Sequence, residues 1–267
     1  MAQWFTSEFS GGRIKDFDKL GSVNLGIFDW WKTQTLAGIP EAGERSIMWH
    51  VQVEYDIYLH HLREINGRPN KGWLRNMWYS IGQQLMRMDP LYYRLYFLLR
   101  SDHPWMLISF PYYAKYAMAG DQTGFRHIDI NTKEACRGGR GVDMIQGSLT
   151  IDDEDDKNCT IILPKMHRPE NFTRWFDRVR SRNPDNSTVL DNLVSRIDDT
   201  HWTKADANEF QTDWTTVPCQ AGQVRITDPR IPHGSTPKPT RVRRTMLPWF
   251  VRIQDDHTHL EVTTGST

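Results

Sequence analysis

Residues 124–164 read GFRHIDINTKEACRGGRGVDMIQGSLTIDDEDDKNCTIILP, and this stretch decides which fold we expect. Its runs FRHIDIN, MIQGSLTI and CTIILP are rich in β-type residues, and the clusters RGGRG and DDEDDKN between them are typical of turns. Strand-like runs return in VRIT (224–227) and RTMLPWFVRI (244–253). Short strands joined by tight polar turns indicate antiparallel β structure.

Helical patterns flank these strands. Over residues 73–99 apolar residues recur at helical spacing, and Asp89-Pro90 interrupts them, which predicts two helices. Residues 170–200 resemble a helical insertion with a break at Asn183-Pro184 and a second amphipathic run at 188–197. The apolar face of the first part consists of Phe172, Trp175, Phe176 and Val179. The chain is therefore expected to be mainly β with helical additions, an α+β domain.

Two further segments give weaker signals. Residues 46–59, SIMWHVQVEYDIYL, alternate apolar with polar residues, and we interpret them as an edge strand. Residues 107–118, LISFPYYAKYAM, fit either a strand or the end of a helix. Both segments precede the first chemical motif.

Composition excludes several functional classes. The 267 residues contain 33 Lys and Arg against 33 Asp and Glu, so no net charge attracts a polyanion and nucleic acid is not an expected partner. The three cysteines are too few for a disulfide framework. No secretory leader pattern and no long apolar run are visible, so we expect a cytoplasmic protein without a membrane partner.

The strongest chemical motif is His127-Ile128-Asp129, which is joined by a distant His233. Residues i and i+2 of a strand point to the same face, so His127 and Asp129 can bind one metal. Two imidazoles and one carboxylate leave three positions of an octahedral ion open, an arrangement used by non-haem iron(II), although zinc can also bind such a set. A His-x-Asp pair alone is more often a hydrogen-bonded structural pair.

Three arginines follow His233, namely Arg241, Arg243 and Arg244. A guanidinium presents a planar pair of donors that matches a carboxylate. An arginine beside an open metal site can therefore hold the far carboxylate of a keto-diacid whose near end chelates iron.

Three blocks of the chain, in this order, resemble the phytanoyl-CoA hydroxylase-like branch of the iron(II), 2-oxoglutarate-dependent dioxygenases. They are GFRHIDIN, LTIDDEDDKNCTIILPKMHRP and AGQVRITDPRIPHGSTPKPTRVRRT. The chain departs from the family pattern at Asn158-Cys159, where relatives have Asn-Gly, and at 164–167, where they have Pro-Gly-Ser-His. The N-terminal 110 residues carry no comparable match.

The resemblance implies a double-stranded β-helix, a cupin-like jelly roll, with its site at the open end of the barrel. We expect a single domain over 1–267, in which residues 1–110 form a partly helical cap and supporting elements. The jelly-roll core then spans 111–255, with the helical insert at about 168–200.

The resemblance also implies the roles of individual residues. His127, Asp129 and His233 take the metal-ligand positions. The arginine that binds 2-oxoglutarate stands ten or eleven residues after the second histidine, which fits Arg243 and Arg244 equally. Strand alternation groups Arg243 with Thr245 as an Arg-x-Thr pair similar to that of related oxygenases, so we prefer Arg243.

Other side chains are candidates for the same co-substrate. Gln146, on a strand expected to face the site, can donate to a 2-oxoglutarate carboxylate, and Lys115 or Tyr113 on the preceding element can do likewise. For each of them a buried structural role is an equal alternative.

The expected cofactors are iron(II), 2-oxoglutarate and O2. The expected reaction is the oxidation of a small organic substrate by hydroxylation, desaturation, oxidative cyclisation or rearrangement, in specialised metabolism, by a monomer or homodimer. Two alternatives stay open, a cupin-like metal-binding protein without oxygenase activity and a zinc-dependent hydrolase or isomerase.

Overall fold

The computed structural model describes residues 17, 19–37, 43–66, 73–74, 77, 80–99, 105–108, 114–130, 132, 136, 144–184 and 195–252. The helices of this part are α1 (Ile47–Asn66), α2 (Ile81–Met88), α3 (Pro90–Leu99), α4 (Pro169–Arg182) and α5 (Lys204–Phe210), with a 3-10 helix at Asp29–Lys32. The strands are β1 (Ser22–Leu25), β2 (Trp73–Leu74), β3 (Trp105–Ile108), β4 (Ala114–Ala117), β5 (His127–Ile128), β6 (Met144–Thr150), β7 (Thr160–Ile162), β8 (Ser195–Arg196), β9 (Thr215–Thr216), β10 (Val224–Thr227), β11 (His233–Ser235), β12 (Arg243–Met246) and β13 (Trp249–Arg252).

The described strands form two antiparallel sheets. The larger one has the order β1-β10-β6-β12-β4-β2, with β13 also beside β6 and β3 beside β13. The smaller one has the order β8-β5-β11-β7-β9. The predicted mixture of antiparallel sheets and helices is therefore confirmed, whereas the division into cap, core and insert stays a prediction.

The prediction of an edge strand over residues 46–59 is wrong, because residues 47–59 belong to α1, and only Ser46 forms an isolated β-bridge, with Thr35. Its buried residues Val51, Tyr55 and Leu59 repeat every four positions, as one face of a helix requires. Apolar and polar residues alternate in this segment because polar residues on the flank of the helix form hydrogen bonds to the larger sheet. For example, Gln52 donates to the backbone carbonyl that follows β6, at 2.8 Å.

The two helices predicted over 73–99 exist, but the first begins later than expected. Trp73 lies in β2, and α2 starts only after Ser80, whose hydroxyl accepts from the Gln83 amide at 3.1 Å and caps the helix. The predicted break at Asp89-Pro90 is confirmed, since the Asp89 carboxylate accepts from the Tyr92 amide at 2.8 Å at the start of α3.

The helical insertion is confirmed in its first half. The helix α4 begins with Pro169, buries its four predicted apolar residues and ends before Asn183. Of the second predicted run, residues 188–194 lie outside the described residues. Ser195 and Arg196 form β8, so the helical prediction is wrong for this end of the run.

Apolar cores pack against both sheets. Residues of β1, β6, β10 and β12 pack with α1 and α2, and residues next to β5 and β7 pack with α4 and α5. Along β6, Ile145 and Leu149 point into the first core, whereas Gln146 and Ser148 bond toward the smaller sheet. The face of β6 that points toward the smaller sheet is therefore polar. None of the described helices is both long and apolar enough to cross a membrane.

Candidate metal and co-substrate site

Three candidate metal ligands converge on the inner side of the smaller sheet. His127 begins β5, Asp129 follows that strand directly, and His233 begins β11, where it pairs in register with His127. One potential ligand atom from each residue can be chosen so that all three lie within 4.8 Å of one another. The pairing of two short strands thus brings together side chains that are a hundred residues apart in sequence.

Hydrogen bonds fix the orientation of both imidazoles. His127 Nδ1 lies 3.1 Å from the Phe125 carbonyl oxygen, and His233 Nδ1 lies 3.0 Å from the Ile231 carbonyl oxygen. A carbonyl can only accept, so each Nδ1 carries a proton and each Nε2 is turned toward Asp129, at 3.2 and 3.3 Å from its two oxygens. This arrangement of backbone-bonded imidazoles is the one that metal-ligating histidines adopt.

The charges of the three groups depend on one another. Burial raises the pKa of Asp129, but His127 and His233 outweigh it and hold that pKa below its usual range. For His233, burial lowers the pKa and Asp129 outweighs it, so the pKa is raised. Asp129 is therefore an ionised ligand inside a buried site.

Gln146 supports the carboxylate from the opposite sheet. Its side-chain amide donates to Asp129 Oδ2, whereas we predicted a bond to the co-substrate. Gln146 Oε1 is buried and has no partner among the described residues. This orphaned acceptor next to the three candidate ligands is available to a ligand or to water.

The two candidate arginines point to opposite sides of the larger sheet. Arg243 is 4% exposed and lies on the inner face, where its Nη1 donates to Ser235 Oγ at 3.1 Å. Arg244 lies on the outer face and bonds to Asp152 at 2.7 and 3.0 Å and to Asp56 at 3.2 Å. Only Arg243 shares the space between the sheets with His233, which lies two residues before Ser235 on the same strand face.

The remaining candidates are only partly visible. The backbone of Lys115 pairs with Thr245, which places it at an inner position, but its side chain and all of Tyr113 lie outside the described residues. Thr245 Oγ1 is buried and has no partner in the described part of the chain. It is therefore a second orphaned polar atom on the inner face.

The sequence interpretation missed three residues beside Arg243, namely Glu154, Thr160 and Arg225. Glu154 Oε1 accepts from Arg243 Nε at 2.6 Å, and Thr160 Oγ1 accepts from Arg243 Nη2 at 2.8 Å. Glu154 lies within the acidic cluster that we interpreted only as a turn. Arg225 lies between apolar residues in VRIT. A charged residue inside such an apolar strand indicates a buried charge that needs a partner, and this pattern was visible in the sequence.

Comparison with known proteins identifies the family of this chain. The family model described as phytanoyl-CoA dioxygenase (PhyH) matches residues 87–246, more than half of the chain. The chain therefore belongs to the phytanoyl-CoA dioxygenase family, as the three sequence blocks predicted. It is accordingly a non-haem iron, 2-oxoglutarate-dependent dioxygenase. No curated protein sequence matches it.

Solved structures share the fold at low sequence identity. AviO1 from Streptomyces viridochromogenes Tue57 is 15% identical, with a TM-score of 0.54 over 90% of this chain and 94% of that one. The epimerase SnoN in complex with Fe3+, alpha ketoglutarate and nogalamycin RO is 13% identical, with a TM-score of 0.51 over 90% and 82%. EctD from S. alaskensis with 2-oxoglutarate and 5-hydroxyectoine is 10% identical, with a TM-score of 0.51 over 88% and 73%.

Proposed function

We propose that this protein binds iron(II) through His127, Asp129 and His233 and uses 2-oxoglutarate and O2 to oxidise a small organic substrate. The observation that carries the proposal is the convergence of two backbone-bonded imidazoles and one ionised carboxylate. This donor set suits iron(II), and it occupies three of the six positions of an octahedral ion.

An arginine shares the space between the sheets with these ligands. Arg243 bonds to Ser235, which lies two residues beyond His233, a spacing of about 7 Å along a strand. This distance is comparable to the length of a five-carbon diacid. We infer that Arg243 binds the distal carboxylate of 2-oxoglutarate and that the orphaned Thr245 hydroxyl contributes. Lys115 stays a further candidate.

When bound together, iron and 2-oxoglutarate supply the activation of O2 that allows an unactivated C–H bond to be oxidised. The residues of this chain orient both groups and limit access of water. Gln146 holds the carboxylate ligand in place. Phe125 stacks on His127 with ring centroids 4.6 Å apart and is 36% exposed, so we assign it to the wall that faces the substrate.

The finer description of the fold rests on the same features. We infer that the two sheets form the double-stranded β-helix predicted from the family resemblance, because their polar inner faces bond to each other across one shared space. The similarity to AviO1 over 90% of this chain supports this inference. The site would then lie between the sheets, near the end marked by Phe125.

We propose that the substrate is a small organic molecule of specialised metabolism. The structures similar in fold include one solved with nogalamycin RO and one solved with 5-hydroxyectoine. The balanced charge of the chain does not favour nucleic acid as a partner. Hydroxylation, desaturation and oxidative cyclisation or rearrangement are all within this chemistry. A cytoplasmic monomer or homodimer remains our expectation.

The test is an anaerobic titration of the iron(II) protein with 2-oxoglutarate, followed by its absorption band and, after O2 is admitted, by succinate. Asp129→Ala and His127→Ala are expected to lose the band. The matched control is His60→Ala, an exposed histidine of α1, which should retain it. A band that survives in His127→Ala would refute the ligand assignment. A protein that binds zinc tightly and forms no band would instead support a hydrolase or a cupin-like binding protein.

A further inference from the structure

A cationic side chain lies beside the candidate metal site on β8, the edge strand next to β5 in the smaller sheet. In the register of these two strands, Arg196 is the direct partner of His127. The Ile197 amide donates to the Arg126 carbonyl at 2.8 Å, which makes this partnership a non-hydrogen-bonded pair, the kind whose side chains lie closer together. Directly opposite residues share one face of a sheet, so Arg196 projects on the face that carries His127.

The Arg196 side chain is exposed, and within the described residues it makes no ion pair or hydrogen bond. The acidic residues that follow it have other partners. Asp198 accepts from the Thr200 hydroxyl at 2.6 Å, and Asp199 lies 3.4 Å from Arg126 Nη1. The guanidinium donors of Arg196 are therefore available to a ligand beside the candidate metal site.

An apolar surface lies next to the same imidazole. The Phe125 ring stacks on His127 at an interplanar angle of 25°, and more than a third of this phenylalanine is exposed. Phe125 precedes His127 along the chain, whereas Arg196 lies across from it on the neighbouring strand. A cation and an exposed aromatic ring beside one candidate metal ligand suit a molecule in which an anionic group is attached to an apolar portion.

We propose that Arg196 is a substrate-binding residue and that the substrate carries a carboxylate or phosphate group, which Arg196 binds while the apolar portion lies against Phe125. This inference rests on the proposed function and narrows it, because it gives the small organic substrate a negative charge. Arg243 does not serve this purpose, since it donates to Glu154 and we assign its remaining donors to 2-oxoglutarate. The paired donors of a guanidinium match either anion.

Arg196→Gln removes the charge and keeps a polar side chain at an exposed position, so the fold should be unaffected. A lost hydrogen bond to a charged group weakens binding by about 10- to 100-fold, and the exposure of Arg196 favours the lower end of this range. The affinity of an anionic substrate should therefore fall by roughly tenfold.

Arg126→Gln is the matched control. It removes an equal charge one residue before His127, but Arg126 points to the opposite face of the sheet, where its guanidinium lies over the Trp214 ring, 4.8 Å from the centroid. A general effect of charge would appear in both variants, whereas a direct contact would be lost only in Arg196→Gln. We expect Arg126→Gln to change anion affinity by less than about threefold.

The experiment is a calorimetric titration of the anaerobic iron(II) protein, saturated with 2-oxoglutarate so that the co-substrate position is filled. The probes are benzoate, 3-phenylpropanoate and phenyl phosphate, and their neutral counterparts are benzamide, 3-phenylpropanamide and phenol. Affinities for iron(II) and 2-oxoglutarate are measured on the same samples. We expect at least one anion to bind the wild type about tenfold more tightly than its counterpart, and Arg196→Gln to lose this preference. Comparison of the carboxylates with phenyl phosphate then identifies the anionic group.

Four results would overturn the role of Arg196. They are a wild-type protein that does not prefer any of the anions, a preference that persists in Arg196→Gln, an equal loss in Arg126→Gln, and a loss of 2-oxoglutarate affinity in Arg196→Gln. The last result would assign the residue to the co-substrate. Absence of the 2-oxoglutarate absorption band in the wild-type protein is a separate outcome. It would overturn the proposed function itself, and so the two failures are distinguishable.

Discussion

Replacing Arg243 by methionine tests the assignment of the co-substrate site most directly. Arg243 has five N–H protons, and within the described residues three of them are donated, to Glu154, Ser235 and Thr160. In that part of the chain one proton on each Nη is left to be donated to a carboxylate. Two hydrogen bonds to a charged group contribute about 3 to 6 kcal/mol, so 2-oxoglutarate affinity should fall by about 10²- to 10⁴-fold.

Arg244→Met is the matched control, because it removes the neighbouring guanidinium from the other face of the same strand. Its bonds to Asp152 and Asp56 join β12 to α1 and to the turn after β6, so its loss should lower the free energy of unfolding by about 1 to 3 kcal/mol. Affinity for 2-oxoglutarate should stay within about threefold of wild type.

The measurements are the anaerobic 2-oxoglutarate titration and denaturant unfolding of both variants. Iron(II) affinity is measured as well, because Arg243→Met leaves Glu154 with one fewer cationic partner and damage to the sheet would appear there. The reasoning fails if Arg244→Met weakens 2-oxoglutarate binding more than Arg243→Met does. It also fails if the Arg243→Met affinity stays within about threefold of wild type.

Three further changes have defined outcomes. Gln146→Met removes the donor to the carboxylate ligand, so iron(II) affinity measured by competitive titration should fall by about 10- to 100-fold, and an unchanged affinity would contradict that role. Burial raises the pKa of Asp206, but hydrogen bonds, chiefly from Arg182, lower that pKa overall. The ionised carboxylate therefore stabilises the fold at neutral pH, and this stabilisation is lost on acidification below about 4. In Asp206→Asn the free energy of unfolding should consequently depend less on pH in this acidic range. Gly222 has φ +86°, and a Cβ added there would lie 2.7 Å from a backbone carbonyl oxygen, whereas Gly120 has φ +85° and open space around it. In denaturant unfolding, Gly120→Ala should therefore lower the free energy of unfolding by about 1 kcal/mol and Gly222→Ala by at least about 1 kcal/mol more. Equal losses in the two variants would exclude the backbone clash.

Local sequence patterns predicted the helices and breaks that depend only on neighbouring residues. The break at Asp89-Pro90 follows from the chemistry of proline, and the apolar face of α4 repeats at helical spacing. The segment 46–59 could not be assigned in this way. Its polar positions look like the exposed face of a strand, but in the fold Gln52 and Asp56 bond to the larger sheet. Only the tertiary contacts distinguish the two cases.

Some residues of the candidate site could likewise be predicted from local sequence, and others could not. His127 and Asp129 have a spacing that strand geometry makes meaningful, and His233 was found because the segments around it resemble a family. Glu154 carries no comparable mark, since four other acidic residues surround it in IDDEDDKN. Its role arises because the pairing of distant strands brings Arg225 and Arg243 to the same carboxylate. No local sequence pattern indicates this contact.

The strands of the larger sheet divide recognition from packing between their two faces. Gln146 and Arg243 point toward the smaller sheet, whereas Ile145, Leu149 and Met246 of the same strands belong to the core that includes α1 and α2. Candidate ligand-binding residues and core residues therefore alternate along one strand. The same separation makes the inner face a practical place to redesign selectivity without redesigning the scaffold.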